Sequence, residues 1–376
     1  MMNPTGEKAR EFMTAYIAKN RERSVGVVSR LMSEVIHDTI VPKSSIKVEP
    51  MGLEVALGLS LYDGVIPVDR SRLHPHALRQ IAERVGVPSA NKVVSELGTS
   101  EWGRRLTAEI VNEHLEHNVA DPTRYLVRSV GDQIRGVLSD KFRRLDTRPV
   151  LGTAIEEATN LGGVVANGWS NDTRISLRVL IPEVIETVEG TGDYVAFGLD
   201  YSGSDYGDGA IDMKAFILRV LCLNGMMTSS EFRQIHLGRR LPENITFSEE
   251  TYRLDTEATT SAVRDMTRTL LSQERRTALL GSIRKAAAEK IDPKEKLAVI
   301  RKRLTKGESD AIASSYATAG IEELPPGENS WRFAQAIALV ARNIDDGVRR
   351  MELEGLAGQV MEGSNPTKAE RESIAV

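Results

Sequence analysis

The stretch RYLVRSVGDQIRGVLSDKFRRLDTR, residues 124–148, decides how this chain is read. Two short runs of β-forming residues, 125–130 and 133–138, flank Gly131-Asp132, a pair suited to a tight hairpin turn. The second run opens directly into a basic cluster of Lys141, Arg143, Arg144 and Arg148. Seven Lys/Arg face three Asp here, a local net of +4 in a chain whose total is −4. Guanidinium forks match phosphate oxygens, so a hairpin ending in arginines suits a polyanion. The same arginines could equally be solvated, or paired with Asp140 and Asp146.

Working outward, residues 5–40 carry apolar positions at three-four spacing and predict a helix. Short strands are expected at 45–48 and 53–57, then a helical region over 75–117. Beyond the hairpin, Gly152, Gly162, Gly163 and Gly168 interrupt the pattern. Ile175, Leu177, Val179 and Ile181 alternate along a strand over 174–181, and 194–201 reads as a second. The apolar run 213–223, closed by Asn224-Gly225, predicts a buried helix. From 257 onward the pattern is helical: 258–290, 293–304, 308–319, 331–346 and 348–361. The expectation is an α+β protein with a helical N-terminal region, a central mostly antiparallel sheet with a packed helix, and a helical C-terminal third. The corresponding divisions are 1–120, 121–256, 257–362 and a disordered tail, 363–376.

With 376 residues, 41% hydrophobic and 27% charged, the chain can bury a sizeable core. Aromatics make up only 5%, so that core rests on aliphatic residues. The single cysteine, Cys222, excludes a disulfide within one chain and suits a reducing cytoplasm. Neither a signal peptide nor a membrane-spanning helix is expected, because no sufficiently long apolar run exists. Charge is segregated: residues 261–306 carry a net of +8 and residues 307–376 a net of −6. Blocks of this kind suggest head-to-tail self-association, hence a homo-oligomer, or two ordinary solvated faces.

Residues 77–97, ALRQIAERVGVPSANKVVSEL, imitate a helix-turn-helix, with Ala82 at the helix contact and Gly86 in the turn. The second helix offers Ser89, Asn91 and Lys92 for base contact, a thin set that a plain helical hairpin would share. Asp200, Asp205, Asp208 and Asp212 crowd one glycine-rich loop and are the candidate metal ligands. Their spacing misses the calcium-loop pattern, and Asp212 could simply cap the expected helix at 213. His114 and His117 could share a helix face, while His74-Pro-His76 reads as turn and cap. No phosphate-binding loop, dinucleotide fingerprint or nucleophile elbow occurs, so no cofactor and no catalytic residue is expected.

Three blocks, ALRQIAERVGVPSANKV (77–93), RYLVRSVGDQIRGVLSDKFRRLD (124–146) and SGSDYGDGAIDMKAFILRVLCLNGM (202–226), resemble a family of phage- and plasmid-encoded proteins. That family is defined as a domain of unknown function and labelled "phage/plasmid-like protein"; NSWRFAQAIALVA (329–341) supports the likeness. The chain departs from it where Gly203-Ser204-Asp205-Tyr206-Gly207 replaces an Asn-Ser-Glu-x-Gly pattern. A more remote topological likeness is to single-strand annealing recombinases, whose strand-strand-helix core lines a positive groove. It implies a groove built from Arg135, Lys141, Arg143, Arg144, Arg148, Arg174, Arg178, Lys214 and Arg219. The expected function is therefore non-catalytic binding or annealing of single-stranded nucleic acid in replication or recombination, in the host cytoplasm. The alternatives are a self-assembling phage structural protein and a metal-dependent enzyme. Stacking would fall to Tyr125, Phe142, Trp169 and Tyr201.

Overall fold

The computed structural model describes residues 4–50, 57–61, 72–119, 123–229, 232–234, 248–318 and 324–363. The expected tail beyond 363, and residues 53–56 of the expected strand 53–57, lie outside the described residues. The order of elements begins with α1 (Pro4–Ser33), β1 (His37–Pro42), β2 (Ile46–Pro50), β3 (Leu57–Leu61) and β4 (Arg72–Leu73). Three helices follow, α2 (Pro75–Arg84), α3 (Ala90–Leu97) and α4 (Glu101–Asn118), then the hairpin β5 (Arg124–Val130) and β6 (Gln133–Ser139). Next come α5 (Thr147–Asn160), β7 (Val164–Ser170), β8 (Ile175–Val188), β9 (Asp193–Gly203), β10 (Ile211–Arg219), β11 (Asn224–Met227) and β12 (Phe232–Gln234). The chain closes with α6 (Glu249–Leu270), α7 (Gln273–Ala288), α8 (Pro293–Ile300), α9 (Lys306–Ala317), α10 (Ser330–Arg342) and α11 (Gly347–Met361). The class is α+β, as expected.

The hairpin forms where its sequence places it, with Gly131 at φ 59° in the turn. It is the centre of a six-stranded sheet, ordered β1-β5-β6-β4-β3-β2, whose one parallel pairing is β4 with β6. This sheet takes strands from both sides of residue 120, so the division expected there runs through one structural unit. Alternation divides its faces. Tyr125, Val127, Ile134 and Val137 pack beneath α2–α4, whereas Leu126 and Leu138 face the opposite way with Phe142. The expected helix over 5–40 stops at Ser33, and β1 then pairs with β5. The glycines at 152 and 168 interrupt nothing, since they lie within α5 and β7.

The second sheet runs β7, β8, β9, β10 and β11 as neighbours in chain order, with β12 added beside β10. The segment 213–223, expected to be a helix, is strand β10 and the turn into β11. Asp212 is accordingly a strand residue and caps nothing. The physical reason is burial on both faces. Met213, Ala215 and Ile217 enter the main core, while Phe216 and Leu218 enter a second cluster with Met13 and Tyr16 of α1. A strand covered on both sides is apolar throughout, so its period-2 signal vanishes. Complete burial of Phe216, Ile217 and Leu218 is worth ~1.5–3 kcal/mol each.

The expected helix over 258–290 starts earlier, at Glu249, and is broken at 271–272 into α6 and α7, while α8–α11 lie where the remaining four were expected. Each of α6–α11 starts on Ser248, Ser272, Asp292, Thr305, Asn329 or Asp346, whose side chain accepts a hydrogen bond from a first-turn N–H. Such caps contribute about 1 kcal/mol apiece. Helix α10 is buried almost entirely, with Trp331 Nε1 donating to Asp193 Oδ2 at 2.7 Å. No helix among the described residues is long and apolar enough to cross a membrane.

Candidate functional site

The nine cations expected to line one groove are dispersed, and six of them are engaged by carboxylates. Arg178 lies opposite Asp200 across β8 and β9, 3.0 Å from it, and reaches Glu354 of α11 at 2.6 Å over the Phe216 ring. Lys214 flanks Asp200 from β10 and pairs with Asp212 at 3.1 Å. Arg219 is buried against Asp193 at 2.7 Å and donates to Cys222 Sγ. Arg135 pairs with Glu34, just past the end of α1, at 3.0 Å. Arg143 grips Asp255 of α6 with two N–H groups, and Arg144 lies 3.8 Å from Asp38 and over the Tyr252 ring. Lys141 is half-buried, and its backbone N–H donates to Ser139 Oγ. Arg148 is exposed and Arg174 half-buried; neither is within ion-pair distance of a carboxylate among the described residues.

The four aspartates also separate. Asp200 is buried in the second sheet, and burial raises its pKa to about 6 against the opposing pull of Arg178. Asp205 accepts from the Thr147 N–H at 2.6 Å, capping α5, and burial with nearby Asp146 lifts it to about 6. Asp208 accepts from Thr173 Oγ1 at 2.6 Å. Among the described residues no three His, Cys, Asp or Glu come together as a metal site. His114 bonds Asn118, and His117 lies beside Glu113, so these two histidines do not act as a pair.

What the fold does assemble is a polar joint between the two sheets. The turn after β9 is held through the Tyr206 carbonyl, which accepts from Gln80 Nε2 at 2.7 Å and from His76 Nε2 at 3.1 Å. Donation from Nε2 leaves His76 Nδ1 as an acceptor, and Arg79 Nη2 fills it at 2.6 Å. Burial pushes the His76 pKa down, which suits this neutral tautomer. Gln80 turns its other end to the Val137 N–H at 2.9 Å, locking α2, β6 and the turn together. Arg128, 1% exposed, spans Asp38, Asp146 and the Asp205 carbonyl. Gly136 lies against the turn, where a Cβ would be in van der Waals contact with Tyr206 at 3.4 Å.

Beside this joint lies an open cleft of about 690 Å³, lined by Arg79, Arg84, Asn91, Arg174 and the Gly207–Gly209 turn. The helix pair at 77–97 thus forms as α2 and α3, but its second helix places Asn91 at this cleft. Sequence reading missed His76 and Gln80 as clamps, because a cap histidine and a helix glutamine carry no local signature. It also missed a surface set. Lys285, Lys290, Lys294, Arg301, Lys302 and Lys306 are all exposed, and none is within ion-pair distance of a carboxylate among the described residues. The +8 charge of residues 261–306 was the signal for these.

Of the expected stacking aromatics, Tyr125, Phe142 and Tyr201 are buried, and Trp169 is half-buried and donates to Met351 Sδ. Trp102, by contrast, is 68% exposed on α4. No family model, curated protein or solved structure matches the chain.

Proposed function

We propose that this protein is a non-catalytic nucleic-acid-binding protein of a phage or plasmid, holding single strands in replication or recombination. The observation that carries the proposal is the exposed, unengaged cation set between Lys285 and Lys306, spread over the end of α7, α8 and the start of α9. Cations already satisfied by internal carboxylates cannot neutralise phosphate without breaking the fold; these six can. The burial of Tyr125, Phe142 and Tyr201 favours contact through the backbone, without sequence preference.

The test is fluorescence anisotropy with a labelled oligo-dT strand across a salt series. The parent should bind at low salt and weaken steeply as salt rises. Replacing Lys290, Lys294, Arg301 and Lys302 together by Ala should weaken binding and flatten the log–log salt slope by ~0.7 per lost phosphate contact. Absence of binding at low salt, or a quadruple variant that binds like the parent, overturns the proposal.

A further inference from the structure

Three guanidinium groups converge on the cleft beside the polar joint, from parts of the chain some ninety residues apart. Arg79 is held in place by His76 Nδ1 and stands 3.6 Å from Asp208 and 4.0 Å from Glu83, two carboxylates that also line the cleft. Arg84 donates from Nε to the Val137 carbonyl at 3.1 Å, which fixes its side chain at the cleft wall. Neither Arg84 nor Arg174 has a carboxylate within ion-pair distance among the described residues. Gly209, at φ 157°, lets Arg174 lie against the turn, because a Cβ there would come within 3.3 Å of its Nη2.

Glu83 and Asp208 answer Arg79, but Arg84 and Arg174 are not answered, so the cleft keeps a net positive charge that an anion relieves. Planar forks present paired N–H groups to tetrahedral oxygens, and a dianion with three terminal oxygens uses more than one fork at once. The Asn91 amide and the Asp208 carboxylate on the cleft wall suit the hydroxyl groups of an organic remainder. We propose that this cleft binds a terminal phosphate monoester, carried either by a small phosphorylated molecule or by the 5′ end of a strand. This goes beyond the proposed strand binding and uses different cations.

The test uses the full chain and isothermal titration with a nucleoside 5′-monophosphate, with the unphosphorylated nucleoside as control. Saturable binding of the monophosphate alone is expected, and R84A/R174A should weaken it about tenfold or more. The double variant breaks no ion pair and loses only the Arg84–Val137 hydrogen bond, so it should melt only slightly below the parent. If it melts lower, R174K, which retains charge but loses the fork, should still weaken binding. A parallel arm compares 5′-phosphorylated with 5′-hydroxyl oligo-dT. Preference for the phosphorylated strand assigns the site to strand ends, and binding of the free monophosphate without that preference assigns it to a small molecule. The Lys290/Lys294/Arg301/Lys302 variant should retain monophosphate binding, which separates this site from the strand-binding surface. Failure of both probes to bind through phosphate, or an R84A/R174A variant that binds as the parent does, overturns the inference.

Discussion

Arg178, Asp200 and Lys214 stand side by side on β8, β9 and β10, with Glu354 closing the row from α11. A buried cation between two carboxylates tolerates the loss of no member, and removing the guanidinium should cost ~3–5 kcal/mol. The row also makes a titration test. Burial first, then Glu354, holds the Asp200 carboxyl up to about 6 from an ordinary 3.8, with Arg178 and Lys214 opposing. The folded protein therefore binds that proton more tightly than the unfolded chain, and stability falls as pH rises from about 4 to about 6. Above that window the full cost of an ionised, buried Asp200 is present, up to ~3 kcal/mol. In D200N that component should vanish. The melting temperature of D200N relative to the parent should thus rise between those pH values; a difference that stays flat counts against the argument.

At the scale of elements, α6 is latched to the segment after the hairpin. Arg143 holds Asp255 and Thr259, and Arg144 covers Tyr252. Replacing both arginines by Ala should therefore destabilise the protein by about 1–3 kcal/mol while leaving strand binding and its salt slope as in the parent. Loss of binding at unchanged stability would instead restore the hairpin cluster as the phosphate contact. The hairpin, β8, β9 and the capped C-terminal helices were legible because alternation, a Gly-Asp turn and cap residues are local signals. Strand β10 was not, because burial on two faces erased its period. The fate of the arginines was not legible either. Arg135 finds Glu34, and Arg178 finds Glu354, across distances in the chain that no window of charge can span. Of the candidate site, the basic character of 261–306 could be read, but the joint formed by His76, Gln80 and Tyr206 exists only after folding.

For the whole molecule, the opposite charge blocks are partly spent internally. Glu308 is held down to about 2, first by hydrogen bonds from Arg349, and Glu354 serves Arg178. Asp310 and Asp345 stay exposed, and we propose that they meet the cations of a neighbouring copy. Light scattering at micromolar concentration and low salt should accordingly give a mass above that of one chain, falling to the monomer as salt is added. A monomeric mass throughout would rule out charge-driven assembly.

The two sheets also keep different time. Strands β7–β11 pair strictly with their successors, so that sheet can close as fast as its hairpins emerge. Among the described residues β1 has one neighbour, β5, and waits for Arg124–Val130 to be synthesised before that edge is paired. Until then β1 has an unpaired strand edge on either side. On the ribosome, the first strand to emerge waits longest for its partner.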